Sequence, residues 1–110
     1  MKDINSCNPD GFITPPNHVN FLAKKLFAGA GEIIDGSIAY LDVNGGGPAE
    51  LHTHAHNHLF IVVKGEAKIQ YSDHTVIIKE NNSHLVDGKV PHSAWNKGAE
   101  QAVMIGLSVK

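Results

Sequence analysis

From residue 19 onward the sequence is a succession of short strand-like runs: "VNFLAKKLF", "GSIAYLDV", "AELHTH", "HLFIVV", "AKIQY", "HTVIIK", "SHLVDG", "HSAWN" and "AVMIGLSV". Between them stand "AGAG", "NGGGP", "KGE", "SDH", "ENN" and "NKGAE", rich in the residues that supply turn backbone angles. Helical periodicity is weak throughout, so the apolar surface has to be buried by stacking short strands, as an all-β sandwich or barrel. One segment admits a second reading. "NFLAKKLFAGAG" has apolar residues at 21, 22, 26 and 27, which fits a short helix, but the β character around it favours a strand. Residues 1 to about 18, with "NPDGFITPPNH", hold prolines and turn formers and read as an extended arm.

The 110 residues suffice for one domain with one core. A formal charge of -2 and scattered lysines leave no basic stripe to neutralise phosphates, which argues against nucleic-acid binding. Lys24-Lys25 is the one adjacent pair and is expected on a solvated strand edge or loop. With Cys7 alone there is no internal disulfide and no thiolate-rich zinc site, and a cytoplasmic location is expected. No apolar stretch follows Met1-Lys2-Asp3 and none reaches membrane-spanning length, so neither a secretory signal nor a membrane span is expected.

The chemistry concentrates in "ELHTHAHNHLFIVVKGE", which sets His52, His54, His56 and His58 on alternate positions. On a strand, His52 and His54 share a face with Cβ atoms roughly 6.5–7 Å apart, close enough to converge on one metal ion. A straight strand would carry His58 roughly 20 Å away, too far to share it. All can serve one site only if the chain bends at "AHN", with His56 at the tip facing solvent and His58 opening the next strand. A further ligand is then sought among His18, His74, His84 and His92, and His92 is the best placed, after the Pro-containing turn of "KVPHSAWN". The competing reading is a wet strand face lined by histidines, and for an isolated HxH it would prevail. His18, His74 and His84 are expected in loops or at the surface, with His84 half buried.

These residues resemble the cupin superfamily, whose first motif is commonly written G(X)5HXH(X)3,4E(X)6G. Here Gly46, five residues, His52-Thr53-His54, three residues, His58, six residues and Gly65 match its spacing, with His58 where the family usually has glutamate. Of the second motif, His92 and Asn96 remain, while Asp87 and Lys89 occupy the usual Pro and Gly positions. The resemblance covers roughly residues 36 to 109. It implies a single-domain jelly-roll β-barrel over 31–110, preceded by an arm and edge strand over 1–30 that packs on the barrel or on a partner subunit. It also implies a metal held by His52, His54, His58 and His92, an Asn96 that closes a turn or fixes a strand end, a hairpin turn at Gly65, and a homodimer.

Replacing the family's carboxylate by a neutral imidazole leaves a divalent ion its full charge, which strengthens it as a Lewis acid and as a magnet for anionic oxygen. All-nitrogen ligation points to zinc, nickel, iron or copper rather than magnesium or calcium. An octahedral ion would keep positions for a small polar or anionic ligand, whereas a tetrahedral zinc would be closed and structural. By strand parity Glu50 is a candidate to line the cavity, and Phe60 and Val62 to form its apolar wall, with Trp95 packing outside and Tyr40 on either face. "NGGGP" lacks the Lys and helix start of a phosphate loop. Two functions follow: a metalloenzyme of dioxygenase, isomerase or lyase type acting on an oxygen-rich molecule, or a non-catalytic binding or sensor module with a structural metal.

Overall fold

The computed structural model describes residues 11–110, so Cys7 and the start of the expected arm lie outside the described residues. Eight strands follow in order: β1 (Val19–Ala30), β2 (Ile33–His52), β3 (Asn57–Lys64), β4 (Ala67–Tyr71), β5 (Thr75–Ile78), β6 (Ser83–Val86), β7 (His92–Asn96) and β8 (Ala102–Val109). All pair antiparallel, in the order β5-β4-β7-β2-β8-β3-β6 with β1 on β2, and the sheet rolls into a nearly closed barrel. The all-β jelly-roll expectation holds. Among the described residues no helix is long and apolar enough to cross a membrane.

The alternation of each strand divides its side chains between an interior and an outer face. Across β2, β8 and β3 the interior residues form rows in register. Leu41 stands opposite Ala102, Ala39–Met104–Val62 follow, then Ser37–Gly106–Phe60, and last Asp35–Ser108–His58. The deep rows join Ala67, Ile69, Ile78, Val86 and Ala94 in one buried core. Each fully buried aliphatic side chain there contributes about 1.5–3 kcal/mol of transfer free energy, which is what holds so short a set of strands together. The interior therefore changes from apolar to polar along the barrel axis, and this gradient positions the site. Outward-facing residues also form apolar rows, Ile38–Ile105–Ile61 and Leu107–Leu59–Leu85.

β1 is a strand, not the alternative helix. It runs antiparallel along the first half of β2, and Phe21 and Ala23 pack against the core. Residues 11–18 turn back on β1 of the same chain: Ile13 and Ala23 exchange backbone bonds of 2.9 and 2.8 Å, and Thr14 Oγ1 donates to the Phe21 carbonyl at 2.9 Å. The lysine pair divides. Lys25 is solvated, but Lys24 is only 8 % exposed, its Nζ 6.0 Å from the Phe12 ring centroid, because the chain before β1 folds over that face.

"NGGGP" does not end a strand. β2 passes through it, pairing with β8 up to Leu41 and with β7 from Gly46 onward. A side chain at Gly46 (φ +146°) would collide with the Ala94 carbonyl and come within 2.7 Å of Trp95 Cα, so glycine lets β2 cross β7 closely. Trp95 packs half-buried on the outer face over this crossing, its Nε1 donating to Ser93 Oγ at 2.9 Å. Tyr40 faces outward too, edge-on to Phe12. Gly65 (φ +78°) makes the tight turn between β3 and β4.

Asn96, buried at the end of β7, uses its whole amide: Nδ2 donates to the carbonyls of Leu41 (2.9 Å) and Glu100 (2.8 Å), and Oδ1 accepts from Gly98 N–H (2.7 Å). It fixes both a strand end and the turn that follows.

Candidate metal centre

At the polar end of the barrel the ends of β2, β3 and β7 and the β2–β3 connection bring histidines together. His52 closes β2 and stands in register with His92, which opens β7, their ring centroids 4.6 Å apart. His54 sits past the strand in the β2–β3 connection, 5.1 Å from His52 and 4.9 Å from His92 by ring centroids. His58, second residue of β3, faces inward at 4.6 Å from His54 and 6.5 Å from His92. The chain does bend at "AHN", as the spacing required.

The β2–β3 connection is pinned to the one between β6 and β7. His54 N–H donates to the Gly88 carbonyl at 2.8 Å, and Gly88 N–H donates to Asn57 Oδ1 at 3.1 Å. A Cβ at Gly88 would run into the His56 carbonyl and lie 2.6 Å from the His54 carbonyl oxygen and 2.7 Å from His54 Nδ1. Only a residue without a side chain lets the two connections touch.

Three of the rings have one nitrogen held and the other left bare. His54 Nδ1 lies 2.7 Å from the His56 carbonyl, and His92 Nδ1 2.7 Å from the Val90 carbonyl. Carbonyls only accept, so both rings carry their proton on Nδ1 and present a lone pair on Nε2. His58 Nε2 lies 3.0 Å from Ser108 Oγ. His52 Nδ1, His54 Nε2, His58 Nδ1 and His92 Nε2 are buried with no hydrogen-bond partner. An unpaired buried polar atom costs about 1–3 kcal/mol, and neutral imidazole nitrogens left bare on neighbouring rings form a donor set that suits a transition-metal ion. Imidazoles whose second nitrogen is tied to a carbonyl or hydroxyl are the usual form of such ligands.

Ligand nitrogens of His52, His54 and His92 lie within 4.8 Å of one another, and so do those of His54, His56 and His58. Ring geometry separates the two triads. Lone pairs lie in ring planes, and His56 stacks on His54 at 4.3 Å and 11°, so their lone pairs run in parallel planes. The rings of His52, His54 and His92 cross at 48°, 49° and 83°, which lets theirs converge. His58 crosses His54 at 72° and is the next nitrogen available to that triad.

Burial first, then neighbouring His92 and His54, pushes His52 from 6.5 down to about 4. Burial first, then His54 and His56, takes His58 to about 3, against an upward pull from Asp35. His92 is lowered by burial, against the Val90 carbonyl. These imidazoles are neutral at neutral pH, and their lone pairs are free for a cation.

Beside the cluster lies a cavity of about 400 Å³, walled by Phe21, Ala39, Phe60 and Met104 on its apolar side. His56 also lines it, half-buried; it does not face solvent, because its ring folds onto His54. Of the other candidates for the wall, Phe60 lines the cavity, whereas Val62 is fully buried one row deeper in the core. Glu50 is exposed and outside the cavity, since β2 leaves regular pairing with β7 between Gly47 and His52 and the alternation counted back from His52 fails there. His18, expected at the surface, lines the cavity mouth against Phe21. His74 is exposed beside Asp73, and His84 pairs with the Tyr71 hydroxyl at 2.8 Å. Sequence reasoning missed Asp35, Ser37 and Ser108, all of which line the cavity. The signal was present as polar residues at inward parity in the apolar strands "IIDGSIAY" and "AVMIGLSV".

The profile of the Cupin domain family matches residues 39–109. Among solved structures, a protein of Photorhabdus luminescens is 17 % identical, with 100 % of this chain and 89 % of that one covered, at a TM-score of 0.75. The Cupin_2 domain of an XRE family transcriptional regulator from Enterobacter cloacae is 16 % identical, with 84 % and 98 % covered, at 0.71. A polyketide cyclase from Streptomyces resistomycificus is 16 % identical, with 88 % and 70 % covered, at 0.70. No curated protein sequence matches the chain significantly. At these identities the structures speak for the fold.

Proposed function

The chain belongs to the cupin domain family, and from that premise we propose that it is a metal-binding cupin whose histidine cluster presents one divalent transition ion to a small oxygen-rich molecule. His52, His54 and His92 form the core of the ligand set, and His58 completes it from β3. Zinc, nickel, iron and copper suit the all-imidazole donors. The observation that carries the reading is the set of four buried ring nitrogens, one from each of these residues, that no protein group satisfies.

Bound there, such an ion supplies Lewis acidity toward a carbonyl or carboxylate oxygen, or a site for dioxygen. The chain's own residues do the rest. The apolar wall of Phe21, Phe60 and Met104 excludes water from the ligand's body, and Asp35, a carboxylate lining the cavity, stands where it can accept a proton or hydrogen bond from the ligand. With no carboxylate among the ligating residues, the site favours a polar or anionic head group. Dioxygenase, isomerase and lyase chemistry all fit this arrangement. A polyketide cyclase among the structural neighbours is in keeping with it.

A second reading is a ligand sensor without turnover, favoured by the likeness to the cupin domain of a transcriptional regulator. We further read the chain as a cytoplasmic homodimer. The outer rows Ile38–Ile105–Ile61 and Leu107–Leu59–Leu85 offer an apolar face of the kind that subunit interfaces bury.

Metal analysis of protein purified without chelators tests the core of this reading. About one ion per chain is expected, lost from the His52→Ala/His92→Ala double variant. Apo protein that takes up no zinc, nickel, cobalt or copper at micromolar excess would refute it.

A further inference from the structure

The row that closes the interior at the barrel mouth, Asp35–Ser108–His58, crosses three adjacent strands, and its members are directly opposed in register. His58 Nε2 lies 3.0 Å from Ser108 Oγ, and Ser108 is only 5 % exposed. The free nitrogen of His58 is Nδ1, buried and without a partner. If Nδ1 offers its lone pair to a cation, the ring's proton resides on Nε2, and Nε2–H donates to Ser108 Oγ. The serine's own hydrogen then turns away from His58. The next side chain along the row is Asp35, and opposed residues of an antiparallel pair hold their Cβ atoms about 4.5–5.5 Å apart, so a rotamer change at Asp35 brings its carboxylate within reach of that hydrogen. Asp35 is itself anchored: its Oδ2 lies 3.5 Å from Lys25 Nζ, and the Asp35 side chain is 26 % exposed. Its charge also acts on His58.

We infer that Ser108 and Asp35 are positioning residues that act on the metal through His58, fixing its tautomer and returning to the site, two side chains removed, negative charge that a ligating carboxylate would have brought. The inference rests on the proposed metal site and deepens it. Its chemistry is that of a carboxylate–hydroxyl–imidazole relay, in which each proton is held by the group nearer the ion and donated outward. The polarised imidazole is a stronger donor, so the relay raises affinity without occupying a coordination position. Ser108 is neutral and Asp35 lies beyond it, which leaves the ion more electrophilic than direct carboxylate ligation would.

Cobalt(II) titration of the full chain, read by visible absorption and by zinc competition, tests this. Ser108→Ala is expected to weaken binding by about tenfold and to shift the cobalt spectrum, with Ser108→Thr restoring most of the affinity because it keeps the hydroxyl. Asp35→Asn is expected to change affinity in the same direction. In a His58→Ala background, Ser108→Ala should then cost nothing further, since its route to the ion is gone. Circular dichroism establishes that each variant is folded, and Asp35→Asn carries the same cycle should Ser108→Ala fail to fold. Equal losses from Ser108→Ala with and without His58, or no loss at all, overturn the relay while leaving the metal site standing. A wild-type chain that binds no cobalt or zinc removes both.

Discussion

Gly88→Ala is the sharpest test of how the site is built, because the residue contributes no chemistry of its own. Its added methyl would overlap the His56 carbonyl and lie 2.6 Å from the His54 carbonyl oxygen and 2.7 Å from His54 Nδ1. These neighbours are backbone and a ring tied to backbone, so the β2–β3 connection itself has to withdraw, by on the order of 1 Å to regain van der Waals separation. Two hydrogen bonds then stretch or break, His54 N–H to Gly88 O (2.8 Å) and Gly88 N–H to Asn57 Oδ1 (3.1 Å). At about 1 kcal/mol each, plus the residual overlap, the metal-free protein should lose roughly 2–3 kcal/mol of stability.

The metal consequence is larger in kind. Ligand bonds tolerate only about 0.2 Å, so a displaced His54 should drop out of the coordination sphere and lower affinity by well over tenfold. Urea denaturation of the apo protein and competitive zinc titration measure the two effects separately. Gly98→Ala is the matched control: the nearest heavy atom to its added Cβ is 3.7 Å away, so both quantities should stay near wild type. Wild-type zinc affinity in Gly88→Ala would mean that the contact between the two connections does not position His54, and the argument would fail.

Asn96→Asp should destabilise by roughly 2–4 kcal/mol at neutral pH, since a carboxylate keeps the Gly98 bond but turns acceptors toward the Leu41 and Glu100 carbonyls; a near-neutral effect in denaturant melts would contradict that bonding. For the metal-free protein, His58 and His52 have folded-state values of about 3 and about 4 against 6.5 in the unfolded chain, so the unfolded state takes up protons first as pH falls. Stability should therefore be full above 6.5 and decline as pH falls, the His52 contribution down to about 4 and that of His58 down to about 3, with His58 contributing a slope of up to about 1.4 kcal/mol per pH unit, and a flat urea midpoint across that window would refute their burial as neutral rings. Ile105→Glu, placed between Ile38 and Ile61 on the outer face, should convert the proposed dimer to monomer in sedimentation velocity while zinc affinity is unchanged; an unaltered sedimentation coefficient would remove that face from the interface.

Much of the architecture was legible because short alternating runs between turn formers leave a β-fold as the economical solution, and the spacing of His52, His54 and His58 demanded the bend at "AHN" that is present. What escaped sequence reasoning shares one cause: it depends on which strand lies beside which. "NGGGP" has the composition of a turn, and only the crossing of β2 over β7 shows why a strand needs those glycines. Lys24 looks solvated until the preceding residues fold over it, and Glu50 looks inward until β2 loses its register before His52. Asp35 and Ser108 are 73 residues apart in the chain (108 − 35) and become neighbours only through the β2–β8 ladder.

That dependence on long-range register bears on how the site works. A set of neutral imidazoles is a weak attractor for a cation unless the rings are held unprotonated and correctly turned before the ion arrives. Burial lowers the proton affinity of His52, His58 and His92, so binding need not displace protons near neutral pH. The carbonyls of His56 and Val90 fix the tautomers of His54 and His92, and Ser108 engages His58. The barrel thus spends folding stability, in unpaired buried nitrogens, on preorganisation that an ion can return by mass action. Zinc at a hundredfold excess over its dissociation constant should accordingly raise stability by about 2.7 kcal/mol, and a melting temperature that stays constant across a zinc titration would show that the rings are not held for a metal.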